Sequence, residues 1–325
     1  MPLSLVWSLV LHVRHAMYNW GVLPSREGPI PSLVVGNFEL GGTGKTPHVM
    51  DLANRLTQKL GANKVGVLSR GYGRSTSDFV WVHEAQNWQE VGDEPWMMQE
   101  QLGQDIPIAV CANRWQGLTR MAQSNPQLQL VLLDDGLQHR ALRPHIALGL
   151  ASRPLPPNWR AWTQLVPAGP WRDLPSRLHA CHVSVATTAG FDTQPFDLSS
   201  RIAMEAPQRV TPDVDTTANY LLITGIAQPH RLVSALAKLE LNIVGAAHYP
   251  DHYKFEDRDI AAWKEWGNQH HVRRILTTEK DAVRMRIHFA KLAHWEVWTL
   301  PVHIEWNNPQ LLEQFLNSWI RSLPS

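Results

Sequence analysis

The chain has 325 residues, of which 44% are hydrophobic and 18% are charged, and its formal net charge is +1. This length predicts about two domains with sizeable cores, and the composition excludes a globally disordered chain. The near-neutral charge argues against a nucleic-acid-binding role driven by bulk charge. Cys111 and Cys181 lie far apart with no CxxC pattern, which argues against a disulfide scaffold or a thiolate zinc site and favours a reducing, cytosolic compartment.

The N-terminus carries an apolar run, Leu3–Leu11, which Arg14 and two histidines follow. The run is shorter than the roughly 20 apolar residues that span a bilayer. It also lacks the preceding positive charge and the following small-residue cleavage site of a secretory signal. A helix here, flanked by Trp7 and Trp20, would suit the plane of a membrane interface. By composition alone, packing onto the protein's own core is the favoured alternative.

Strands and helices then alternate along the first half of the chain. The predicted strands cover residues 32–36, 64–69, 106–111 and 128–133. A helix is predicted over residues 47–60, where apolar side chains recur with the 3.6-residue period of one helix face. This alternation predicts a doubly wound α/β sheet.

Prolines interrupt the helical patterns between about residues 151 and 215, where short strands are predicted over 182–187 and 201–210. Alternation resumes after residue 218. Further strands are predicted over 220–224, 242–247, 274–277 and 296–302, and further helices over 229–239, 257–269 and 309–323. We therefore predict two doubly wound, Rossmann-like α/β domains of the phosphate-loop type, joined by a β- and proline-rich linker. The boundaries are 1–28 for the N-terminal helix, 29–180 for the nucleotide-binding domain, 181–215 for the linker and 216–325 for a smaller domain that closes over the active site.

The clearest local motif is Gly41–Thr46 (GGTGKT), between a buried strand and an amphipathic helix. Backbone N–H groups of a glycine-rich turn and of the helix N-terminus bind phosphate oxygens. Lys45 would reach the β- and γ-phosphates, and the Thr46 hydroxyl would bind Mg²⁺. The standard pattern has glycine where Glu39 stands. The predicted ATP-binding residues are Glu39, Leu40, Gly41, Gly42, Thr43, Gly44, Lys45 and Thr46.

A second motif is the apolar run Leu130–Leu133, which ends in Asp134 and Asp135. Ligands bind at the carboxyl edge of open α/β sheets, and a carboxylate there can hold the Mg²⁺ of a bound nucleotide. The alternative is a turn that caps the next element. The phosphate-binding loop favours the metal role.

Other polar clusters follow strands, and each has a purely structural alternative. Arg70 and Arg74 could bind a phosphate or an anionic head group, or be solvated loop residues. Asp93 and Glu94 could act as a general base or a metal ligand, or merely cap the following helix. Three further sites are Gln138-His139-Arg140, which should face the same cleft, the lone loop histidine His252, and the charged group Glu279-Lys280-Asp281, whose role the sequence leaves open.

Taken in order, these segments resemble the tetraacyldisaccharide 4′-kinases, the lipid A 4′-kinases of Gram-negative bacteria. The matching stretches are residues 41–47, 68–73, 91–95, 134–139, 166–172 (VPAGPWR), 225–227, 251–253 and 275–284 (ILTTEKDAVR). The resemblance implies transfer of the ATP γ-phosphate to the 4′-hydroxyl of a tetraacyldisaccharide 1-phosphate, giving lipid IVA. It also implies work at the cytoplasmic face of the inner membrane, which makes membrane contact the expected role of the N-terminal helix. No obligate protein partner is expected.

The resemblance also implies a role for each matched residue. Lys45 and Thr46 would be the phosphate-loop lysine and the Mg²⁺-binding hydroxyl. Asp93 would be the catalytic base, supported by His252. The acidic metal-binding group would be Glu94, Asp134 and Asp135, and the residues facing the disaccharide and its 1-phosphate would be Arg70, Tyr72, Arg114, Gln138 and His139.

Two other classes of protein share parts of this pattern. A membrane-associated phosphate-loop ATPase switch has a similar loop, but usually carries a lysine where Leu40 stands. A soluble small-molecule kinase or ligase would leave the N-terminal apolar run unexplained. Dependence of ATP turnover on the lipid disaccharide would separate all three classes.

Overall fold

A computed structural model describes residues 2–187, 198–204, 208–209, 219–227, 229–236 and 241–323. Parts of the predicted linker (188–197, 205–207 and 210–215), the end of the predicted helix 229–239 and the last two residues lie outside the described residues. The α-helices are α1 Pro2–Asn19, α2 Lys45–Leu60, α3 Trp88–Val91, α4 Asp93–Leu102, α5 Arg114–Ser124, α6 Pro229–Leu236, α7 Asp257–His270, α8 Glu279–Met285 and α9 Pro309–Arg321.

The strands are β1 Arg26–Glu27, β2 Ser32–Asn37, β3 Val65–Ser69, β4 Val80–Trp81, β5 Ile108–Val110, β6 Leu130–Asp134, β7 Leu142–Arg143, β8 Ile146–Ala151, β9 Val183–Ala186, β10 Leu198–Met204, β11 Gln208–Arg209, β12 Asn219–Thr224, β13 Asn242–His248, β14 Arg274–Thr278, β15 Glu296–Leu300 and β16 Val302–Trp306. Short 3₁₀ helices cover Val82–Glu84, Asn158–Gln164, Pro175–Ala180 and Arg286–Leu292.

The first sheet has the strand order β16-β10-β9-β8-β2-β6-β3-β5-β4 among the described residues. Its central strands are parallel, and their residues are buried almost without exception, as apolar runs covered on both faces should be. Strand β2 lies between β6 and β8, with Val35 opposite Asp134. The phosphate-binding loop after β2 and the carboxylates after β6 therefore meet at one edge of the sheet.

The second sheet has the order β11-β15-β14-β12-β13. Strands β12 to β15 are parallel, and β11 pairs antiparallel with β15. Aromatic side chains fill one of its faces, with Phe255, Trp263 and Trp295 buried in a single cluster. The alternating pattern predicted a doubly wound α/β protein, and both parallel sheets confirm that class.

The chain passes between the two sheets twice. It leaves the first sheet after β10 and returns to it in β16, which pairs antiparallel with β10 from Ser200↔Trp306 to Met204↔Val302. Helix α9 then packs its Leu312, Leu316 and Trp319 into the core of the first sheet. The domain boundaries remain a prediction. Four elements nevertheless lie with the first sheet: β9 and β10, which fall in the predicted linker, and β16 and α9, which fall in the predicted second domain.

Helix α1 lies on the first sheet's side of the molecule with an unusual distribution of polarity. Its buried stripe contains Ser4, Ser8, Leu11 and His15. Ser4 donates its hydroxyl to the carbonyl of Leu165, and His15 Nε2 lies 2.7 Å from Asp173 Oδ1. The exposed face is apolar and consists of Leu3, Leu5, Val6, Leu9, Val10 and Val13, with Trp20 and Val22 just beyond the helix. Within the described ranges, no helix is both long and apolar enough to cross a membrane.

Candidate active site

A cleft of about 1040 Å³ lies where the carboxyl ends of the two sheets face one another. It brings together all the residues predicted to be catalytic, metal-binding or lipid-binding, although they come from distant parts of the chain. These are Lys45, Thr46, Arg70, Tyr72, Asp93, Glu94, Arg114, Asp134, Asp135, Gln138, His139 and His252. Gly41–Gly44 line the same cleft.

The phosphate-binding loop links the end of β2, at Asn37, to the start of α2, at Lys45. Gly44 precedes the helix with φ 81°, a left-handed conformation that glycine adopts without strain. The Asn37 side chain fixes the loop, donating to Thr43 Oγ1 over 2.9 Å and accepting from Lys45 Nζ over 3.4 Å. Side chains therefore fix the loop in place, and its lysine lines the cleft.

Glu39 and Leu40 lie beside this cleft rather than on its wall. The buried Glu39 carboxylate accepts hydrogen bonds from the Ser152 hydroxyl over 2.6 Å, from the Ser152 N–H over 2.8 Å and from Arg153 Nε over 2.9 Å. This internal use of the carboxylate explains why an acid can stand where the standard motif has glycine. Nucleotide contact by these two residues remains a prediction.

The predicted metal-binding residues form an acidic group beside Lys45. Thr46 donates its hydroxyl to Glu94 Oε2 over 3.1 Å, and Ser69 donates to Asp134 Oδ2 over 3.1 Å. Burial, reinforced by the charges of Glu94 and Asp135, raises the pKa of Asp134 to about 7. Burial would also raise the pKa of Asp135, but the positive charges of Lys45 and Arg172 outweigh it, and the pKa of Asp135 lies below its ordinary value.

This group fits a nucleotide-bound Mg²⁺. Asp134 Oδ1 is buried and has no hydrogen-bond partner among the described residues. Crowded carboxylates and a hydroxyl are the hard oxygen donors that Mg²⁺ takes, with phosphate and water completing its shell. The described residues hold no cluster of three or more histidine, cysteine, aspartate or glutamate side chains that could bind a metal alone. A site that depends on phosphate oxygens is consistent with that finding.

Asp93 and His252 meet across the cleft. Asp93 opens α4 behind Gly92, whose φ of 99° turns the chain into the helix, and its carboxylate is 3% exposed. His252 Nδ1 lies 3.1 and 3.0 Å from the two carboxylate oxygens of Asp93. Burial would raise the pKa of Asp93, but the hydrogen bond to His252 and the charges of Lys280 and Arg284 lower it. We call the part of the protein built on each sheet a lobe. Asp93 of the first lobe is therefore an ionised carboxylate, oriented by His252 of the second lobe.

The predicted lipid-binding residues line the same cleft. Arg114 is buried, and burial lowers its pKa to about 10. Burial, with the nearby charges of Arg114, Arg70 and Arg14, also lowers the pKa of His139. Arg114 Nε and His139 Nε2 are buried without a hydrogen-bond partner in the part of the chain described. Unpartnered donors of this kind, beside several positive charges, favour an anionic ligand.

Three functional side chains carried no predicted role. Asn37 organises the loop, and Arg172 of the VPAGPWR stretch pairs with Asp135 and donates to Asn37 Oδ1 over 2.6 Å. Lys280 donates to Glu94 Oε1 over 2.9 Å and to Asp251 Oδ1 over 3.2 Å. The dense charge of residues 277–281 at a strand end was the signal for Lys280, but its partners lie more than 180 residues away or in another loop.

Comparisons with known proteins identify the family of the chain. The family model described as "Tetraacyldisaccharide-1-P 4'-kinase" matches residues 1–321. The chain is 30% identical to the tetraacyldisaccharide 4′-kinase of Phocaeicola vulgatus, over 98% of this chain and 92% of that protein. It is likewise 30% identical to the enzyme of Pasteurella multocida, over 94% and 90% of the two chains.

The fold is similar to that of a solved structure, LpxK from Aquifex aeolicus in complex with ATP. The TM-score is 0.73 at 22% identity, covering 98% of this chain and 97% of that one. The family resemblance predicted from the ordered motifs is thus confirmed over nearly the whole chain. The chain belongs to the tetraacyldisaccharide 4′-kinase family, the kinases of lipid A biosynthesis.

Proposed function

We propose that this kinase uses Mg²⁺ and ATP to phosphorylate the 4′-hydroxyl of a tetraacyldisaccharide 1-phosphate, giving lipid IVA, with the catalytic roles assigned below. One observation carries the assignment: the phosphate-binding loop, the acidic group and the Asp93–His252 pair line a single cleft. The γ-phosphate, its metal and a base for the attacking hydroxyl can therefore meet in one place.

The nucleotide lies over the phosphate-binding loop. Backbone N–H groups of the loop and of the first turn of α2 bind its phosphates, and Lys45 neutralises charge on the transferring group. Thr46, Glu94, Asp134 and Asp135 would hold the Mg²⁺, which supplies further charge neutralisation. Apolar side chains on the cleft wall provide a surface for the adenine ring, namely Ile226, Ala227, Leu232, Leu300 and Val302.

Asp93 acts as the general base. Its carboxylate takes the proton of the 4′-hydroxyl while the hydroxyl oxygen attacks the γ-phosphorus and ADP leaves. His252 orients the carboxylate through Nδ1. Because His252 belongs to the second sheet's lobe, the pair depends on contact between the two lobes, which this structure already has.

The anionic end of the lipid lies on Arg70, Arg114 and His139. The positive charges of Arg70 and Arg114, with the unpartnered nitrogens of Arg114 and His139, suit the 1-phosphate. Tyr72, 69% exposed at the cleft mouth, offers a ring to the sugar. The Gln138 side chain donates to the Asn37 carbonyl over 2.8 Å, and the Gln138 main-chain carbonyl accepts from Arg14 Nη2 over 2.8 Å. The end of α1 therefore adjoins the cleft at Gln138.

Helix α1 holds the enzyme on the membrane that contains its lipid substrate. Its polar stripe faces the protein and its apolar face is exposed, the reverse of an ordinary surface helix. Such a face binds the headgroup–acyl boundary of a bilayer, where burial of each large apolar side chain contributes roughly 1.5–3 kcal/mol. We assign this contact to the cytoplasmic face of the inner membrane, where ATP is available.

Transfer of labelled γ-phosphate tests the proposal. The purified protein is incubated with labelled ATP, Mg²⁺ and tetraacyldisaccharide 1-phosphate in mixed micelles, with the 4′-deoxy disaccharide as the matched control. Label should appear in lipid only with the 4′-hydroxyl present. ATP hydrolysis that is unchanged by either lipid would instead support the phosphate-loop ATPase switch.

A further inference from the structure

Lys280 occupies a buried position between the two lobes that the catalytic assignment leaves without a role. It follows β14 in the second lobe, and its side chain is 15% exposed. Its ammonium nitrogen lies 2.9 Å from Glu94 Oε1, 3.2 Å from Asp251 Oδ1 and 3.1 Å from His252 Nε2. A lysine ammonium has three N–H donors, and these three acceptors use all of them.

The contact with His252 constrains where the imidazole carries its proton. An ammonium can donate but cannot accept, so the nitrogen that faces it, Nε2, must be the acceptor. A neutral imidazole has one N–H, which then lies on Nδ1, facing both carboxylate oxygens of Asp93. The contacts of the His252 ring with Lys280 and with Asp93 therefore require the same tautomer, the one protonated at Nδ1.

Asp251 is the group that would otherwise compete for the ring. Its Oδ2 lies 3.8 Å from His252 Nε2, on the side opposite Asp93. A proton on Nε2 would turn towards this carboxylate and leave Nδ1 without a hydrogen to donate. Lys280 prevents protonation at Nε2 in two ways. It binds the Asp251 carboxylate, and it donates an N–H to the Nε2 lone pair.

We propose that Lys280 is a positioning residue that fixes the tautomer of His252, so that the imidazole donates Nδ1–H to Asp93 and holds that carboxylate in the orientation in which it takes the substrate proton. The proposal rests on the proposed function in taking Asp93 as the base. Because Lys280 also binds Glu94 of the first lobe, it makes this arrangement depend on contact between the lobes.

Nitrogen-15 NMR of histidine-labelled protein tests the tautomer without depending on activity. Spectra are taken at about pH 8, above the ordinary histidine pKa. The His252 signals are those missing from His252→Asn. They should show a protonated Nδ1 and an unprotonated Nε2 in the parent protein, and a mixture of the two tautomers in Lys280→Met. A protonated Nε2 in the parent, or unchanged signals in Lys280→Met, would overturn the proposal.

Kinetic measurements on a variant whose lysine side chain is removed and then chemically rebuilt distinguish a positioning role of Lys280 from structural support. Lys280→Cys should lower kcat by about 10²-fold, the typical cost of a misplaced catalytic group, with little change in KM for ATP. Alkylation with 2-bromoethylamine rebuilds a lysine analogue and should restore activity, whereas neutral iodoacetamide should not. Cys111 is buried and burial raises the pKa of Cys181 to about 12, so neither native thiol should react first. Lys254→Cys, at an exposed position near His252, is the control for both reagents.

A double-mutant comparison assigns the effect to His252. If Lys280 acts through the imidazole, Lys280→Met should cost nothing further in a His252→Ala background. A full additional loss there would mean that Lys280 acts independently of His252, and the proposal would be wrong. If the parent protein transfers no phosphate, the proposed function is refuted but the tautomer proposal is not. The NMR measurement does not depend on activity and would still decide the tautomer of His252.

Discussion

Asp93 is deeply buried, and its surroundings stabilise its negative charge. Replacing one carboxylate oxygen by an amide group therefore tests its role. In Asp93→Asn, the amide keeps the shape of the side chain but is a poor proton acceptor. We expect kcat to fall by about 10²–10⁴-fold, the usual range for loss of a general base, with little change in ATP affinity. Steady-state kinetics measure both quantities. Near-normal kcat would move the base role to Asp134 or Asp135.

Lys45 is the phosphate-loop side chain that points at the acidic group, with its nitrogen 3.9 Å from Asp135 Oδ2. Lys45→Ala should abolish transfer while leaving the fold intact, because the lost charge contact typically costs several kcal/mol in the transition state. Circular dichroism checks that the fold is intact, and the label-transfer assay measures the loss of phosphate transfer. Lys59→Ala, on the same helix and paired with Glu313, is the matched control and should retain activity. Turnover of Lys45→Ala at the parent rate would contradict the phosphate-loop assignment.

Asp134 makes stability depend on pH in an unusual direction. Its pKa is about 7 in the folded protein against an ordinary carboxyl value near 4, so the unfolded chain releases this proton first. As the pH rises from about 4 to about 7, the group lowers the free energy of unfolding by up to about 4 kcal/mol.

Asp134→Asn should therefore be more stable than the parent above about pH 7, with the difference vanishing near pH 4. It should also be inactive, because it removes a predicted metal ligand. Urea unfolding across this pH range measures the effect, with Asp105→Asn at an exposed position as the control. Parallel stability curves for Asp134→Asn and the parent would show that the carboxyl does not titrate as its burial requires.

The sequence predicted the site residues that lie in recognisable motifs. It did not predict the residues whose roles depend on contacts between distant parts of the chain. Asp93 and His252 are 159 residues apart, and only the family pattern linked them before the structure placed them in contact. Lys280 and Arg172 lie in stretches that match the family, but nothing in the sequence indicated their partners. Their roles come from charges contributed by other loops, which local spacing does not encode.

At the scale of elements, the exposed face of α1 is the feature with the clearest consequence. Leu5→Glu with Leu9→Glu places two charges on that face without disturbing the buried serine and histidine contacts. Binding to vesicles should fall sharply, and KM for the lipid should rise more than KM for ATP, because placing charged side chains in the apolar part of the bilayer interface costs free energy. Vesicle sedimentation measures the first effect. Val244→Glu, an exposed apolar site in the second lobe, is the control. Equal sedimentation of all three proteins would refute the membrane role of α1.

Most strands of the two sheets were predictable because buried parallel strands are nearly continuous apolar runs. The predicted strand 296–302 is in fact two strands, β15 and β16, with Pro301 between them. Proline cannot donate to a ladder, so the chain changes sheets at this position. Asp93 and Glu94 form the first turn of α4, where the two acids benefit from the helix dipole. Alternation alone could not say which sheet a strand joins.

At the scale of the whole molecule, the pairing of β10 with β16 allows the second lobe to be removed cleanly. Met204 lies opposite Val302, so an Asn-Gly turn in place of residues 205–301 would close a two-residue hairpin. We expect the shortened protein to fold, since its sheet and α9 remain, and to bind ATP more weakly without the apolar wall. It should transfer no phosphate, because His252 is absent. Cooperative unfolding and nucleotide titration measure this. Failure to fold would show that the first lobe needs the α4–α8 contact.

The return of the chain to its first sheet also sets the order in which the protein can be completed during synthesis. The second lobe emerges from the ribosome before β16 and α9, the segments that finish the edge of the first sheet and cover α2. The lobe that begins the chain is therefore the last to be finished. A premature stop codon shortly after residue 300 would spare every residue of the cleft except Val302. It would still leave α2, and with it the phosphate-binding loop, without part of its hydrophobic support.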